Sequence, residues 1–349
     1  MQEFTELPGQ GTGPRAPASP GPTGREHATP SRGSSQRAAP QRGTTARYPI
    51  QDMAILAFGG GGGLARPFLT GAAASGARIA IVEKLPETGA EGEAAAEPLK
   101  AFAGELAQVC GHAVTVLGAD VTDESEVAEA VGRIEELYGR IDVGVDFAGV
   151  AHTPFDLPQT DLSRSAAEFR KVLEINLTGA YIITAALARV MAPRRSGQII
   201  HLCSNGSRVS LYGSYGYNAS KHGVEGLVKT AAAQLAPLGV RVNAIAPGTV
   251  ETDLNRFTLL RNRDGSFKPR AKSILAHTPT KRFATAEGVA ATLLAMCIPQ
   301  PHLTGNVIFA DDGYNIEGHS WPEANEALYA DRLEELLAGL DARYPREKG

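Results

Sequence analysis

The sequence predicts an α/β domain with a doubly wound parallel sheet of about seven strands and helices on both faces. Seven short apolar runs are typical of buried strands, and segments with helical periodicity separate them. Strands that alternate with helices form right-handed crossovers, which place the strands side by side in parallel. We expect strands at 53–58, 77–83, 113–119, 141–147, 197–203, 240–246 and 306–310, with helices that include 124–139 and 168–191.

The composition divides the chain into three segments. Residues 1–48 are rich in Gly, Pro, Ser and Arg and hold almost no large apolar side chains, so we expect a disordered tail. Residues 49–317 form the predicted domain, in which seven strands fit one domain better than two. Residues 318–349 predict a C-terminal extension with an amphipathic helix, because leucines recur there at helical spacing: Leu328, Leu333, Leu336, Leu337 and Leu340.

Charge, hydropathy and cysteine content exclude several classes of function. The formal net charge is −4 and there is no dense basic stripe, which disfavours a nucleic acid partner. No apolar run approaches the roughly 20 residues that cross a bilayer, and the acidic first residues do not predict a secretory signal. The scattered Cys110, Cys203 and Cys297 predict neither disulfides nor a zinc site. We expect a cytoplasmic protein with a small-molecule substrate, no membrane partner and no metal.

A run of five glycines begins at Gly59, directly after the first predicted strand and before a helix. Glycine lets the backbone turn tightly and approach a pyrophosphate at the helix N-terminus, here at Gly59, Gly63 and Leu64. Glu83 ends the second strand, where a carboxylate can bind the adenosine ribose and repel a 2′-phosphate. The pattern predicts a Rossmann-type dinucleotide site that prefers NAD to NADP, although the neighbouring Lys84 weakens that preference.

Two further strand ends extend the predicted cofactor site. Asp120 and Val121 follow the third strand, in place to meet the adenine edge. Ala148 and Gly149 follow the fourth strand, and their small size would let the chain pass close to a ligand. We therefore expect all four residues to contact the cofactor.

Tyr217 and Lys221 lie four residues apart in a helical segment and hence on one face of the helix. A nearby ammonium favours the phenolate form of a phenol, which suits proton transfer near neutral pH. Ser204 ends the fifth strand thirteen residues earlier, where its hydroxyl can hold a substrate oxygen. Together these residues predict acid–base chemistry beside the dinucleotide.

These motifs together resemble the short-chain dehydrogenase/reductase family over about residues 50–316. The resemblance implies an NAD(P)-dependent oxidoreductase that interconverts a secondary alcohol and a ketone. The motifs that carry it are Gly59 and Gly63, Asp120, Asn176 in EINLTG, Ser204, YNASK at 217–221, RVNAIAPGTVETDL at 241–254 and LTGNVIFADDGY at 303–314.

The resemblance also implies a role for each catalytic residue. Tyr217 would be the general acid/base, and Lys221 would bind the nicotinamide ribose and favour the phenolate. Ser204 would polarise the carbonyl, and Asn176 would hold a water that relays protons beyond the lysine. The loop that covers the nicotinamide is matched by Pro247, Gly248, Val250 and Thr252.

The chain departs from the family pattern at three places. Phe58 stands where a threonine usually precedes the first glycine, and Ala65 replaces the third glycine. Asp146-Phe147 replaces a pair of asparagines after the fourth strand, which leaves the contacts of this central strand to be established. None of these changes removes a catalytic group.

The segment 252–283 is longer than the corresponding loop in many family members and is expected to fold over the substrate. Its pattern resembles the short-chain type of D-mannonate oxidoreductase (fructuronate reductase), as does a histidine after the fourth strand. Arginine suits a carboxylate and histidine suits hydroxyls. We therefore expect a sugar, sugar acid or polyol-like substrate, bound by His152, Ser204 and Arg256. The resembling residues are Asn255-Arg256-Phe257, Arg270, His277-Thr278-Pro279, Arg282-Phe283 and His152.

Two alternatives remain open at the level of sequence. One is an NADPH-dependent reductase of a 3-ketoacyl or other non-sugar carbonyl. The other is a nucleotide-binding regulator without turnover, which the complete Asn–Ser–Tyr–Lys set disfavours. The resemblance further implies a homotetramer or homodimer, assembled through the helices that carry Asn176 and Tyr217.

Overall fold

The computed structural model describes residues 48–85, 90–151, 156–209, 211, 213–252, 256, 260–300 and 302–316, with the side chains of 90–95 left out. Every described residue belongs to one compact unit, Thr44–Gly349. The predicted N-terminal tail (all but its last residue), the C-terminal extension and His152 lie outside the described residues.

Seven parallel strands form one sheet in the described part of the chain, which confirms the predicted fold class. The order across the sheet is β3-β2-β1-β4-β5-β6-β7. Every predicted run contains a strand whose ends lie within two residues of the prediction. The strands are β1 Ala54–Phe58, β2 Arg78–Glu83, β3 Thr115–Gly118, β4 Val143–Asp146, β5 Gly197–Leu202, β6 Val240–Pro247 and β7 Val307–Ala310.

Helices cover both faces of the sheet, because each strand buries alternate side chains on opposite sides. The helices are α1 Ala65–Ala74, α2 Ala90–Cys110, α3 Glu124–Tyr138, α4 Leu162–Leu173, α5 Gly179–Met191, α6 Tyr215–Leu235, α7 Pro269–His277 and α8 Ala286–Cys297. In β1, Leu56 and Phe58 pack with helices α3, α5 and α6, whereas Ile55 and Ala57 pack with α1, α2 and α8.

The strand order reverses between β1 and β4, which are direct neighbours in the sheet. Phe58 and Asp146 end these strands in register with one another. In open α/β sheets a crevice forms at such a switch point, outside the carboxyl ends of the strands. The fold therefore places the glycine run and the chain after β4 at the mouth of one crevice.

The helical segment predicted at 168–191 begins six residues earlier and is interrupted. Asp161 accepts the N–H of Arg164 at 2.8 Å and caps α4, so the helix begins at Leu162. Between α4 and α5 the chain makes a π-helical turn, Glu174–Thr178, which hydrophobic periodicity does not reveal. By length and composition, the stretch Leu162–Met191 is apolar enough to cross a membrane. However, 44% of its apolar 18-residue window is buried inside the protein.

Residues 260–283, here called the cap segment, form a small unit with its own apolar core. A bridge pairs Arg261 with Phe267, and Lys268 donates its N–H to Leu260 at 2.8 Å. Helix α7 follows at once. The buried core of the cap segment consists of Leu260, Phe267, Ala271 and Leu275.

Candidate active site

The glycine run brings the ends of β1 and β4 into contact. Gly59 has a φ of +72°, and a Cβ on it would lie 2.8 Å from the backbone nitrogen of Ala148. Its N–H donates to the carbonyl of Val82 at 2.8 Å, which ties the turn to β2. Only glycine meets both demands, the left-handed backbone and the close approach. Leu64 then forms the N-cap of α1, so the run opens onto a helix N-terminus as predicted.

Glu83 turns back from the end of β2 toward the glycine run. Its Oε2 accepts the N–H of Gly61 at 2.9 Å, and a Cβ on Gly61 would lie only 3.0 Å from that oxygen. The absence of a side chain at Gly61 thus admits the carboxylate. The sequence did not indicate this contact, which fixes a negative charge at the edge of the predicted pyrophosphate loop.

Lys84 forms an ion pair with Asp120 across the ends of β2 and β3. The hydrogen bond to Asp120 raises the pKa of Lys84. Burial opposes ionisation of Asp120, but hydrogen bonds from Lys84 and Thr122 outweigh it and lower the pKa of this carboxyl. Asp120 is thereby anchored at the predicted adenine position. Beside it, Val121 packs against Gly179, where a Cβ would lie 2.9 Å from a Val121 methyl carbon.

Asp146, one of the departures from the family pattern, is the start of a buried polar chain. Its Oδ1 accepts the N–H of Ala148 at 3.0 Å, and its Oδ2 lies 2.9 Å from Nδ1 of His201 on β5. Nε2 of His201 lies 2.8 Å from the hydroxyl of Thr184 on α5. These hydrogen bonds stabilise the turn after β4 that contacts Gly59. Sequence analysis missed His201, although a histidine inside an apolar strand was a signal of a buried partner.

Asn176 projects from the π-helical turn and holds the chain just after Gly149. Its Oδ1 accepts the N–H of Val150 at 2.8 Å, and its Nδ2 donates to the Val150 carbonyl at 2.9 Å and to the Ser220 hydroxyl at 3.1 Å. The side chain is buried. One amide therefore links the chain after β4 to helix α6.

Lys221 and Tyr217 share one face of α6, as their spacing predicted. The buried ammonium of Lys221 donates to the Leu202 carbonyl at the end of β5 at 2.7 Å and lies 5.8 Å from the centre of the Tyr217 ring. A Cβ on Gly149 would lie 3.7 Å from the ammonium and 3.4 Å from Oδ1 of Asn176. The structure thus brings Asn176, Lys221 and Gly149 together.

Ser204 follows β5 at the same edge of the sheet and begins a short 3-10 turn, Asn205–Ser207. Its hydroxyl accepts the N–H of Gly206 at 3.0 Å and donates to Oδ1 of Asn205 at 3.1 Å. A Cβ on Gly206 would lie 3.4 Å from this hydroxyl and 3.1 Å from Oδ1 of Asn218, the residue after Tyr217. The serine turn therefore lies against the start of α6.

The chain after β6 returns to the glycine run. Gly248 donates its N–H to the Ala310 carbonyl at 3.0 Å. It packs closely on Asp311, because a Cβ on Gly248 would lie 2.8 Å from the Cα of Asp311. Val250 is buried and bridges to Ala284. The methyl carbon of Thr252 lies 3.4 Å from the position of a Cβ on Gly63. The two predicted cofactor loops, Pro247–Thr252 and the glycine run, thus face each other.

The predicted substrate arginine, Arg256, lies on Glu251, which also binds Arg261. The Nε of Arg256 is 3.2 Å from Oε1 of Glu251. Of the other arginines in the long segment, Arg282 pairs with Asp312 at 2.8 Å. Arg270 is half-buried, and burial lowers the pKa of its guanidinium. These side chains make contacts within the protein that the sequence pattern did not show.

The residues present fit a bound dinucleotide. Glycines occupy the positions where a Cβ would fill the space between the ends of β1 and β4, and the loop opens onto the N-terminus of α1. Backbone N–H groups at a helix start bind a pyrophosphate well. The buried ammonium of Lys221 lies beside Gly149, three residues beyond the end of β4.

Comparisons with known proteins identify the family of the chain. A family model described as enoyl-(acyl carrier protein) reductase matches residues 71–315. Levodione reductase from Leifsonia aquatica is 32% identical over 69% of this chain and 86% of its own length. A 3-oxoacyl-[acyl-carrier-protein] reductase from Synechocystis is 32% identical over 61% of this chain and 80% of its own length.

Solved structures share the fold over most of the chain. The structure of levodione reductase has a TM-score of 0.66 and 28% identity, covering 77% of this chain and 100% of its own. The structure of a proposed gluconate dehydrogenase from Agrobacterium tumefaciens has a TM-score of 0.65 and 28% identity, covering 77% of this chain and 98% of its own. The protein therefore belongs to the short-chain dehydrogenase/reductase family and is an NAD(P)-dependent oxidoreductase.

Proposed function

We propose that the protein interconverts a secondary alcohol and a ketone through Tyr217, with Lys221, Ser204 and Asn176 in support. The observation that carries this proposal is the position of Lys221. Its buried ammonium donates to the Leu202 carbonyl, lies 5.8 Å from the centre of the Tyr217 ring, and is next to Gly149. A fixed cation at this point stabilises negative charge that develops beside it and sits within reach of a ligand that fills the crevice.

In the oxidising direction, the side-chain oxygen of Tyr217 accepts the proton of the substrate hydroxyl. A bound nicotinamide would supply the hydride acceptor for the carbon that carries this hydroxyl. In the reducing direction, Tyr217 returns its proton to the developing alkoxide. Asn176 holds the chain after Gly149 next to Lys221 through its hydrogen bonds to Val150, and in this proposal it also holds a water that relays the proton beyond the lysine.

Ser204 stabilises the substrate oxygen in this proposal. Its single proton is donated to Asn205 in the structure, while the N–H of Gly206 occupies one of its lone pairs. A rotation about the Cβ–Oγ bond redirects the proton toward a carbonyl in the crevice without loss of the Gly206 bond. A hydrogen bond that strengthens as negative charge develops on the carbonyl accelerates the reaction.

The preference for NAD is proposed from the charges at the end of β2. The Glu83 carboxylate is fixed on the N–H of Gly61, and the ammonium of the neighbouring Lys84 is directed to Asp120. A 2′-phosphate placed at this strand end would meet a fixed negative charge before a positive one.

Removal of the Glu83 charge is expected to change cofactor use. In Glu83→Gln the ratio of kcat/KM with NADP to that with NAD should rise by about 10-fold or more, since a repulsion worth about 1.4 kcal/mol is lost. Steady-state assays with both cofactors measure this ratio. Glu136→Gln is the matched control, because it removes an exposed carboxylate on α3. A ratio that does not move in Glu83→Gln would show that Glu83 does not select the cofactor.

We propose a sugar acid or related polyol as the substrate. The proposal rests on the arginine-rich segment around Arg256 and Arg270, and on the resemblance of the fold to a proposed gluconate dehydrogenase. A panel of aldonic acids, keto sugar acids, polyols, cyclic diketones and 3-oxoacyl thioesters, each with NAD(H) and NADP(H), tests it. Turnover confined to 3-oxoacyl thioesters with NADPH would favour the reductase alternative, and cofactor binding without any turnover would favour a regulator.

We also propose that the protein assembles as a homodimer or homotetramer through the helices that carry Asn176 and Tyr217. The outer side of this region exposes large apolar side chains, with Leu162 81% and Tyr181 61% exposed. We expect light scattering of the purified protein to give a mass of two or four chains. A monomer at micromolar concentration would contradict the proposal.

A further inference from the structure

Glu251 connects the cap segment to the loop after β6 through one bidentate ion pair. Its Oε1 accepts from Nε of Arg261 at 2.6 Å, and its Oε2 accepts from Nη2 of the same side chain at 3.0 Å. Both side chains are largely buried, with 13% of Glu251 and 7% of Arg261 exposed. Two parallel hydrogen bonds fix the direction as well as the distance between the partners.

The guanidinium of Arg261 is also part of the interior of the cap segment. Its Nη1 donates to the carbonyl of Gly265 at 2.9 Å, and its carbon lies 4.3 Å from the centre of the Phe267 ring. Phe267 in turn belongs to the apolar core of the cap segment. A displacement of the Glu251 carboxylate would therefore move the Arg261 guanidinium, which contacts Gly265 and Phe267 within the hairpin 260–268.

On the other side, Glu251 lies between Val250 and Thr252 in the loop that faces the glycine run. We propose that Glu251 is a positioning residue that couples the cap segment to the bound cofactor. A cofactor that orders this loop fixes the backbone of Glu251, and the bidentate pair passes that constraint to Arg261 and the hairpin. The proposal rests on the proposed function, because it requires the nicotinamide to lie against this loop.

Limited trypsin digestion of the full-length protein measures the coupling without a known substrate. Arg263 and Lys272 are exposed cleavage sites within the cap segment. We expect NADH to slow cleavage at these sites by roughly 5-fold or more in the wild type, because cleavage follows the population of opened segment. In Glu251→Gln the charge-assisted pair is lost, and cleavage should be fast with and without NADH.

Two further variants keep the test decisive. Arg282 of the cap segment forms an ion pair with Asp312 after β7, and its side chain is 65% exposed. Asp312→Asn removes this pair, and NADH should still protect the cap segment of this variant. Arg261→Lys keeps the positive charge but cannot make a bidentate contact, so its protection should be intermediate. If Glu251→Gln does not fold by circular dichroism, Arg261→Lys carries the comparison.

A fluorescence titration with NADH and NADPH, done on the same samples, separates the two possible failures. If the wild type binds cofactor but its cap segment is not protected, or if Glu251→Gln is protected as well as the wild type, the coupling is wrong and the proposed function stands. If neither cofactor binds the wild type, the proposed function fails and the coupling with it. Once a substrate is found, Glu251→Gln should raise its KM by about 10-fold while kcat changes less. Because this variant also alters the contact of Arg256 with Oε1 of Glu251, Arg261→Lys, which keeps the Glu251 carboxylate, should raise KM in the same direction.

Discussion

Replacement of Tyr217 by phenylalanine is expected to reduce kcat by about 100- to 10,000-fold, the usual contribution of a positioned general acid/base. The ring remains, so its packing near the ammonium of Lys221 is kept. The proton acceptor for the substrate hydroxyl is lost. Steady-state and single-turnover assays with an accepted substrate measure the loss, and a fluorescence titration should give an unchanged affinity for NADH.

Tyr181→Phe is the matched control, since it removes a hydroxyl from an exposed tyrosine on α5. Its kcat should equal that of the wild type. Activity retained in Tyr217→Phe would disprove the proposed mechanism, because no other described phenol shares a face with a buried lysine ammonium. A simultaneous loss of NADH affinity would instead point to a damaged crevice.

The second large effect is expected at Gly59. An alanine there must adopt a φ of +72° and place its Cβ 2.8 Å from a backbone nitrogen and 3.0 Å from a backbone carbon of Ala148. Rotation of a side chain cannot relieve contacts with backbone, so the loop must shift. The left-handed conformation alone costs roughly 1–2 kcal/mol. We expect the dissociation constant for NADH to rise by about 10-fold or more in Gly59→Ala, since each 1.4 kcal/mol is a factor of ten.

Gly62→Ala, in the same loop, is the natural control. A Cβ on Gly62 would meet only the carbonyl of Gly59, at 3.6 Å, an ordinary contact. Its affinity for NADH should stay close to that of the wild type. Equal losses in both variants would mean that any added carbon in the loop disturbs the cofactor. Equal affinities would mean that the close approach of Gly59 to Ala148 is not needed.

The fold was predictable from sequence because its determinants are local and periodic. Buried parallel strands appear as short apolar runs, and each run that was predicted contains a strand. The interruption at Glu174–Thr178 was not predictable, since a π-helical turn inserts a residue without changing which side chains are apolar. Capping by Asp161, which extends α4 toward the N-terminus, depends on one hydrogen bond and not on periodicity.

The candidate site was predictable only in part, for a similar reason. Tyr217 and Lys221 are close in sequence, and their common face follows from helix geometry. The partners of Glu83, Arg256 and Lys84 come from other strands or from a loop, and single-sequence patterns carry no information on such pairs. Glu251 itself lay within a recognised motif, but its partner Arg261 is ten residues away in a segment without a regular period.

The chain of Asp146, His201 and Thr184 crosses two central strands and one helix, entirely inside the protein. Replacement of His201 alone by an apolar side chain leaves Oδ2 of Asp146 buried without its partner, which costs more than the hydrogen bond itself contributed. Oδ1 of Asp146 keeps the N–H of Ala148, and the hydroxyl of Thr184 keeps the carbonyl of Ala180. We therefore expect Asp146 and His201 to change together among relatives: where leucine or valine replaces the histidine, the carboxylate should be gone as well.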